Sequence, residues 1–182
     1  MALKVTTADK WFSKCVRIRT NWKCQKCGVV LEHDPQYLHC SHFISRSKLT
    51  TRYHPLNALA HCYKCHEKLG GGRWGGGNVA DFAYHYELIM GSKNREYMRR
   101  LAQYSFNFHD GYLKEIAKHY RLEFKRMDNL RKQGVIKNLD FEFFTGSLEL
   151  NGIIKQIKLE LSQEANHGNR PDSKPKTFLY RS

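Results

Sequence analysis

Two Cys-x-x-Cys pairs constrain this chain more than anything else in it: Cys24-Gln25-Lys26-Cys27 and Cys62-Tyr63-Lys64-Cys65. Four thiolates can close a tetrahedron around one zinc ion, and two such knuckles present them in the spacing of a structural site. Tying the ends of a loop of roughly 35 residues removes much of its conformational freedom, which matters for a small domain with a modest core. Within that loop lie His39, His42, His54, Asn57 and His61, and His66 follows the last cysteine directly. Residues 35–66 contain no Asp or Glu. The outer thiols therefore read as a structural zinc clamp, and the inner imidazoles as a second site with a different role. Cys15 and Cys40 fall outside the spacing and read as buried free thiols.

A chain of 182 residues fits one domain, or one small domain with a helical extension. Its apolar fraction of 41% and aromatic fraction of 13% can supply a core. No apolar run approaches the ~20 residues that span a bilayer, and the opening Met1-Ala2-Leu3-Lys4-Val5 lacks the apolar stretch of a secretory signal. No membrane partner is expected. The reading is a cytoplasmic protein, where thiols stay reduced and zinc is a better partner for them than disulfides. The formal charge is +14, and it is concentrated. Residues 1–78 hold thirteen Lys/Arg and four Asp/Glu, a net of +9. Lys10, Lys14, Arg17, Arg19, Lys23 and Lys26 follow one another with no acid between them. A basic surface around a metal-bearing segment suits a polyanion, DNA or RNA.

Coarse patterning places these residues. Thr7 or Asp9 can cap a helix through Arg19, with Trp11, Phe12, Cys15 and Val16 on one face and Lys10, Lys14 and Arg17 turned elsewhere, free to face phosphate. Val29-Val30-Leu31 and residues 37–44 are strand candidates, with a loop through Pro55. A short helix begins near Cys62 and carries His66. The run Gly70-Gly71-Gly72-Arg73-Trp74-Gly75-Gly76-Gly77 cannot be helix interior and reads as a connector. Val79–Met90, a segment from Ser92 to Tyr104, and residues 112–132 carry helical stripes. Residues 141–161 fit either strands or one helical face, with helix preferred. Residues 162–182 read as a disordered tail. The expected organisation is a core over 1–78, a helical extension over 79–161 and that tail.

His42, Asn57 and His66 stand in the order of the His-Asn-His (HNH, or ββα-metal) nuclease motif and resemble it. The likeness narrows. Lys10-Trp11-Phe12-Ser13, Val16-Arg17-Ile18-Arg19 and Cys24-Gln25-Lys26-Cys27-Gly28 look like the opening of the phage NinG/Rap recombination nucleases. Ser41-His42-Phe43-Ile44-Ser45-Arg46, Asn57 and His61-Cys62-Tyr63-Lys64-Cys65-His66-Glu67-Lys68 continue in that family's order. The resemblance covers residues 10 to 125. The T-even phage endonuclease VII type is similar in plan.

The resemblance implies an α+β protein with a small zinc-stabilised ββα-metal core and a mainly helical C-terminal extension. It implies a metal-dependent DNA endonuclease acting on branched or recombination-intermediate DNA, in host-cell cytoplasm if phage-encoded. In that reading His42 is the general base and Asn57 hydrogen-bonds across the loop to orient it. His39, three residues before His42, and His66 hold the catalytic divalent ion. Arg17, Arg19, Arg46, Arg52 and Arg73 are the candidate phosphate contacts. The family usually has an aspartate at the position of His39 and often an asparagine at that of His66. Nitrogen donors shift the expected ion from magnesium toward manganese, cobalt, nickel or zinc. Alternatively His39 is no ligand, or a carboxylate (Asp34, Glu67 or Asp81) joins. On a regular strand an offset of three sends His39 and His42 to opposite faces, so one shared site calls for a bend. Competing readings are a nonspecific nicking nuclease and a non-catalytic zinc-dependent DNA-binding protein. A helical half that serves as a homodimer surface is compatible with all of these.

Overall fold

The computed structural model describes residues 4–71, 78–105 and 110–168. Helix α1 (Thr7–Arg19) begins at a capping box. The Asp9 amide donates to Thr6 Oγ1 at 3.1 Å, and the Thr6 amide donates to Asp9 Oδ2 at 2.7 Å. Two amides that a helix start leaves unpaired are thereby satisfied. The cap thus falls at Thr6, one residue before the expected Thr7, and Asp9 serves it from the third position. Ala8, Phe12, Cys15 and Val16 turn inward. Beyond the helix, Asn21 and Trp22 adopt left-handed backbone, φ 54° and 57°, and the chain turns into the first cysteine pair.

The fold is α+β, mostly helical around a small antiparallel sheet. Strand β1 (Leu38–His42) pairs with β2 (Ala58–Cys62), setting His39 opposite His61 and His42 opposite Ala58. The strand is shorter than the 37–44 expected, and the loop after it holds a single helical turn, α2 (Leu49–Arg52). Val29-Val30-Leu31 contributes only one bridge, Lys23 to Val30. Gln25 closes the outer edge of β2. Its amide donates to the Ala60 carbonyl at 2.8 Å, and the Ala60 amide donates to Gln25 Oε1 at 2.8 Å. An edge left open would be a template for foreign strands. From β2 the chain passes directly into α3 (Tyr63–His66) and a π-helical turn, Glu67–Gly71.

Among the described residues four longer helices follow: α4 (Val79–Met90), α5 (Ser92–Leu101), α6 (Asp110–Lys132) and α7 (Leu148–Gly168). Gly91, at φ 84°, makes the sharp break between α4 and α5. Helix α6 lies along α1. Phe12 meets Tyr120 with ring centroids 5.2 Å apart, and Trp11 meets Phe124 at 5.8 Å. Arg131 near the end of α6 donates to the Ile18 and Arg19 carbonyls, a favourable place for a cation. Ile116, Tyr120 and Met127 share one core with Phe12, Val16, Ala58 and Cys65. Residues beyond 78 therefore complete the core of those before it.

The second cluster joins α5 and α7 through Tyr97, Met98, Leu101, Leu150 and Ile157. The helical reading of 141–161 holds from Leu148 onward; 141–147 has no regular structure. Helix α7 also runs into the segment expected to be tail, because Arg100 on α5 reaches Glu160 at 3.7 Å and Glu164 at 2.7 Å. Residues 169–182 lie outside the described residues, as do Arg73, Trp74 and most of the glycine run. Among the described residues no helix is long and apolar enough to cross a membrane.

Candidate metal centre and histidine-lined groove

The four sulfurs of Cys24, Cys27, Cys62 and Cys65 lie within 4.8 Å of one another, Cys27 and Cys62 at 3.7 Å. Zinc–thiolate bonds of about 2.3 Å in a tetrahedron put sulfurs roughly 3.8 Å apart. The cluster thus fits a structural metal such as zinc. Local backbone explains its shape. The Cys24 amide donates to the Val29 carbonyl at 2.8 Å and the Gly28 amide to the Cys24 carbonyl at 3.0 Å. Gly28 sits at φ 79°, which a side chain would strain. A backbone hydrogen bond from Val29 pulls the Cys27 thiol down to about 7, toward the thiolate that a metal binds.

Strand β1 has no bend, so its side chains alternate. His39 and Ser41 leave by one face, where His61 and Leu59 lie across the pairing. His42 leaves by the other, toward α1, its ring 5.8 Å from that of Phe12. On the first face His39 stacks on His66, centroids 4.8 Å apart and planes 17° from parallel. Ser41 Oγ is 2.7 Å from His66 Nδ1. His39 and His66 are thus brought together, and Ser41, which the sequence reading passed over, belongs with them. Its signal was the two-residue step from His39. His39 also feels Glu67, which partly offsets the burial and the Arg17 charge that lower its pKa.

His42 is held by backbone. Its Nε2 lies 3.1 Å from the Arg52 carbonyl. A carbonyl only accepts, so Nε2 carries hydrogen and the lone pair of the neutral ring sits on Nδ1. Asn57 fixes the loop that presents this carbonyl. With no solvent exposure, it donates to the Thr51 and Ile44 carbonyls at 2.9 and 3.0 Å and accepts from the Ile44 amide at 2.8 Å. Burial pushes His42 down to about 4, against smaller opposing contributions from the Arg52 and Cys40 backbone. The ring is neutral near pH 7.

His39 and His42 meet again at one groove of about 510 Å³ beside β1, also lined by Lys10, Lys14, Arg17 and Arg46. Two other arginines are not there, which corrects the expectation for them. Arg19 is 7% exposed and donates to the Pro55 and Ala58 carbonyls at 2.9 and 2.6 Å. Arg52 is 5% exposed and forks onto Asp9 at 2.9 and 2.6 Å. Both are structural cations, buried against acceptors that composition could not reveal. His61 is fully buried beside His85. His54 is also buried, its Nδ1 accepting from the Leu56 amide at 3.1 Å.

Comparison with family models, with curated proteins and with solved structures yields no match. Fold and site together define an α+β protein with a four-thiolate cluster able to hold a structural metal.

Proposed function

We propose that the chain is a divalent-metal-dependent endonuclease of the His-Asn-His type, hydrolysing phosphodiester bonds in DNA. The observation that carries this reading is the fixing of His42: Asn57 ties the loop together, and the Arg52 carbonyl accepts from His42 Nε2 at 3.1 Å. An imidazole held this way is neutral and fixed in place at the wall of a basic groove, as a general base requires. Lys10, Lys14, Arg17 and Arg46 would hold backbone phosphates there. His42 Nδ1 would take the proton of a water whose oxygen bonds to phosphorus. The bond from phosphorus to the 3′ oxygen breaks, leaving a 5′ phosphate and, once solvent protonates it, a 3′ hydroxyl. The imidazolium so formed has the Arg52 and Cys40 backbone beside it. His39 and His66 are the residues that would hold the divalent ion, which supplies Lewis-acid stabilisation of the developing charge.

Branched or recombination-intermediate DNA as the preferred substrate, in a phage setting, follows from the resemblance of Lys10-to-Lys68 motifs to the NinG/Rap nucleases. A non-catalytic zinc-dependent DNA-binding protein is the second reading, favoured by one observation: His39 and His42 leave β1 by opposite faces. The deciding experiment screens linear, single-stranded, nicked and four-way DNA against Mg, Mn, Co, Ni and Zn. Cleavage is expected, stronger with manganese, cobalt or nickel than with magnesium because the donors are nitrogens. DNA binding without cleavage under every ion would select the second reading.

A further inference from the structure

On the face of the hairpin turned away from α1, an imidazole of β2 meets an imidazole of α4, and neither the thiolate cluster nor the proposed cleavage chemistry uses this pair. His61 on β2 is fully buried, and among the described residues neither Nδ1 nor Nε2 has a hydrogen-bond partner. His85 on α4 has a buried Nε2 that is equally unpartnered. The rings stand 5.2 Å apart, tilted by 44°, with Phe82 packed beside His61. Buried polar atoms without partners are rare; each neutral ring carries one lone pair, so this adjacent pair can offer one nitrogen from each ring to a ligand, the other His61 nitrogen being an N–H.

We propose that His61 and His85 are ligands of a second metal site, which takes a borderline transition-metal ion such as zinc, cobalt or nickel. Neutral imidazole is the commonest metal ligand of this kind. With metal–nitrogen bonds of about 2.1 Å at a tetrahedral angle, two rings bound through nitrogen place their centroids roughly 5.3 Å apart. The observed 5.2 Å agrees. Magnesium and calcium are disfavoured, since both ligands are nitrogen. Water would complete the coordination. Lys26, whose charge acts on both rings, is exposed on the first knuckle, where solvent screens it. The site does not depend on the nuclease reading and stands whether or not DNA is cut.

The test uses the full chain with its thiolate-bound zinc in place, titrated with cobalt or nickel and followed by calorimetry and native mass spectrometry. Wild type is expected to take up an ion whose affinity falls at least about tenfold in His85→Ala, the least that losing even an outer-sphere contact costs. The same ion is expected to persist in His39→Ala. Zinc content and the thermal melt report on folding in each variant. His85→Phe, which fills the space with an aromatic ring, replaces His85→Ala if that variant melts early. Uptake that is the same in wild type and the His85 variants overturns the site, as does the absence of any uptake beyond the thiolate-bound metal.

Discussion

Arg52 does two jobs with two parts of one residue. Its guanidinium forks onto Asp9 of α1, and its carbonyl holds His42. Burial alone would raise Asp9, but hydrogen bonds from Arg52 and Thr6 outweigh it and hold the carboxyl below its usual range. A depressed carboxyl binds fewer protons folded than unfolded, so its stabilisation is present above the unfolded pKa of about 3.9 and lost as pH falls through the folded value. Asp9→Asn is therefore expected to destabilise the protein by about 3 kcal/mol at pH 7. It should also flatten the fall in stability below pH 4, as read by denaturant unfolding at a series of pH values. A wild-type fall that is unchanged in the variant would remove Asp9 from this role. The order of His42, Asn57 and His66 was legible in their types and spacing. The ion pair was not, because Asp9 stands far from Arg52 in sequence and any loop arginine in a basic chain resembles a phosphate contact. The Arg52 carbonyl was not legible either, since every residue has one.

At the level of elements, the hairpin divides the histidines. A strand with no bend sends His39 to α3 and His42 to α1, as the three-residue offset requires of a regular strand; what spacing alone could not decide was whether the segment bends. The same hairpin ends at Cys62, and the first knuckle covers its outer edge through Gln25. Holding the two knuckles together therefore holds the sheet together. Stripping the bound metal with a strong chelator is expected to lower the melting temperature by roughly 10 °C or more, with about one zinc released per chain. Circular dichroism with a colorimetric zinc assay checks this. An unchanged melt after complete chelation would show that the thiolates hold no structural ion. Helix α6 was legible as an amphipathic stripe, but its seat on α1 was not, because a stripe says that a helix packs and not what it packs against. Helix α7 outran its expected end for the same kind of reason: the Arg100 contacts to Glu160 and Glu164 are between elements.

At the scale of the whole molecule, charge and cavity coincide. The basic excess of residues 1–78 is divided by burial. Arg19 and Arg52 turn inward, while Lys10, Lys14, Arg17 and Arg46 line the groove beside β1. Binding to DNA is expected to weaken steeply with salt. Lys10→Ala or Lys14→Ala should each reduce the slope of log affinity against log salt by about 1. Fluorescence anisotropy across a salt series measures it, and a slope unmoved by both changes would place the phosphate path elsewhere. The account as a whole turns on His42 as the base in that groove. Its most direct test is nicking of supercoiled plasmid by wild type and His42→Ala with manganese present, each protein checked for zinc content and melting temperature. The rate is expected to fall by about 10²–10⁴-fold with zinc and melt retained. Equal nicking by the two proteins would contradict it.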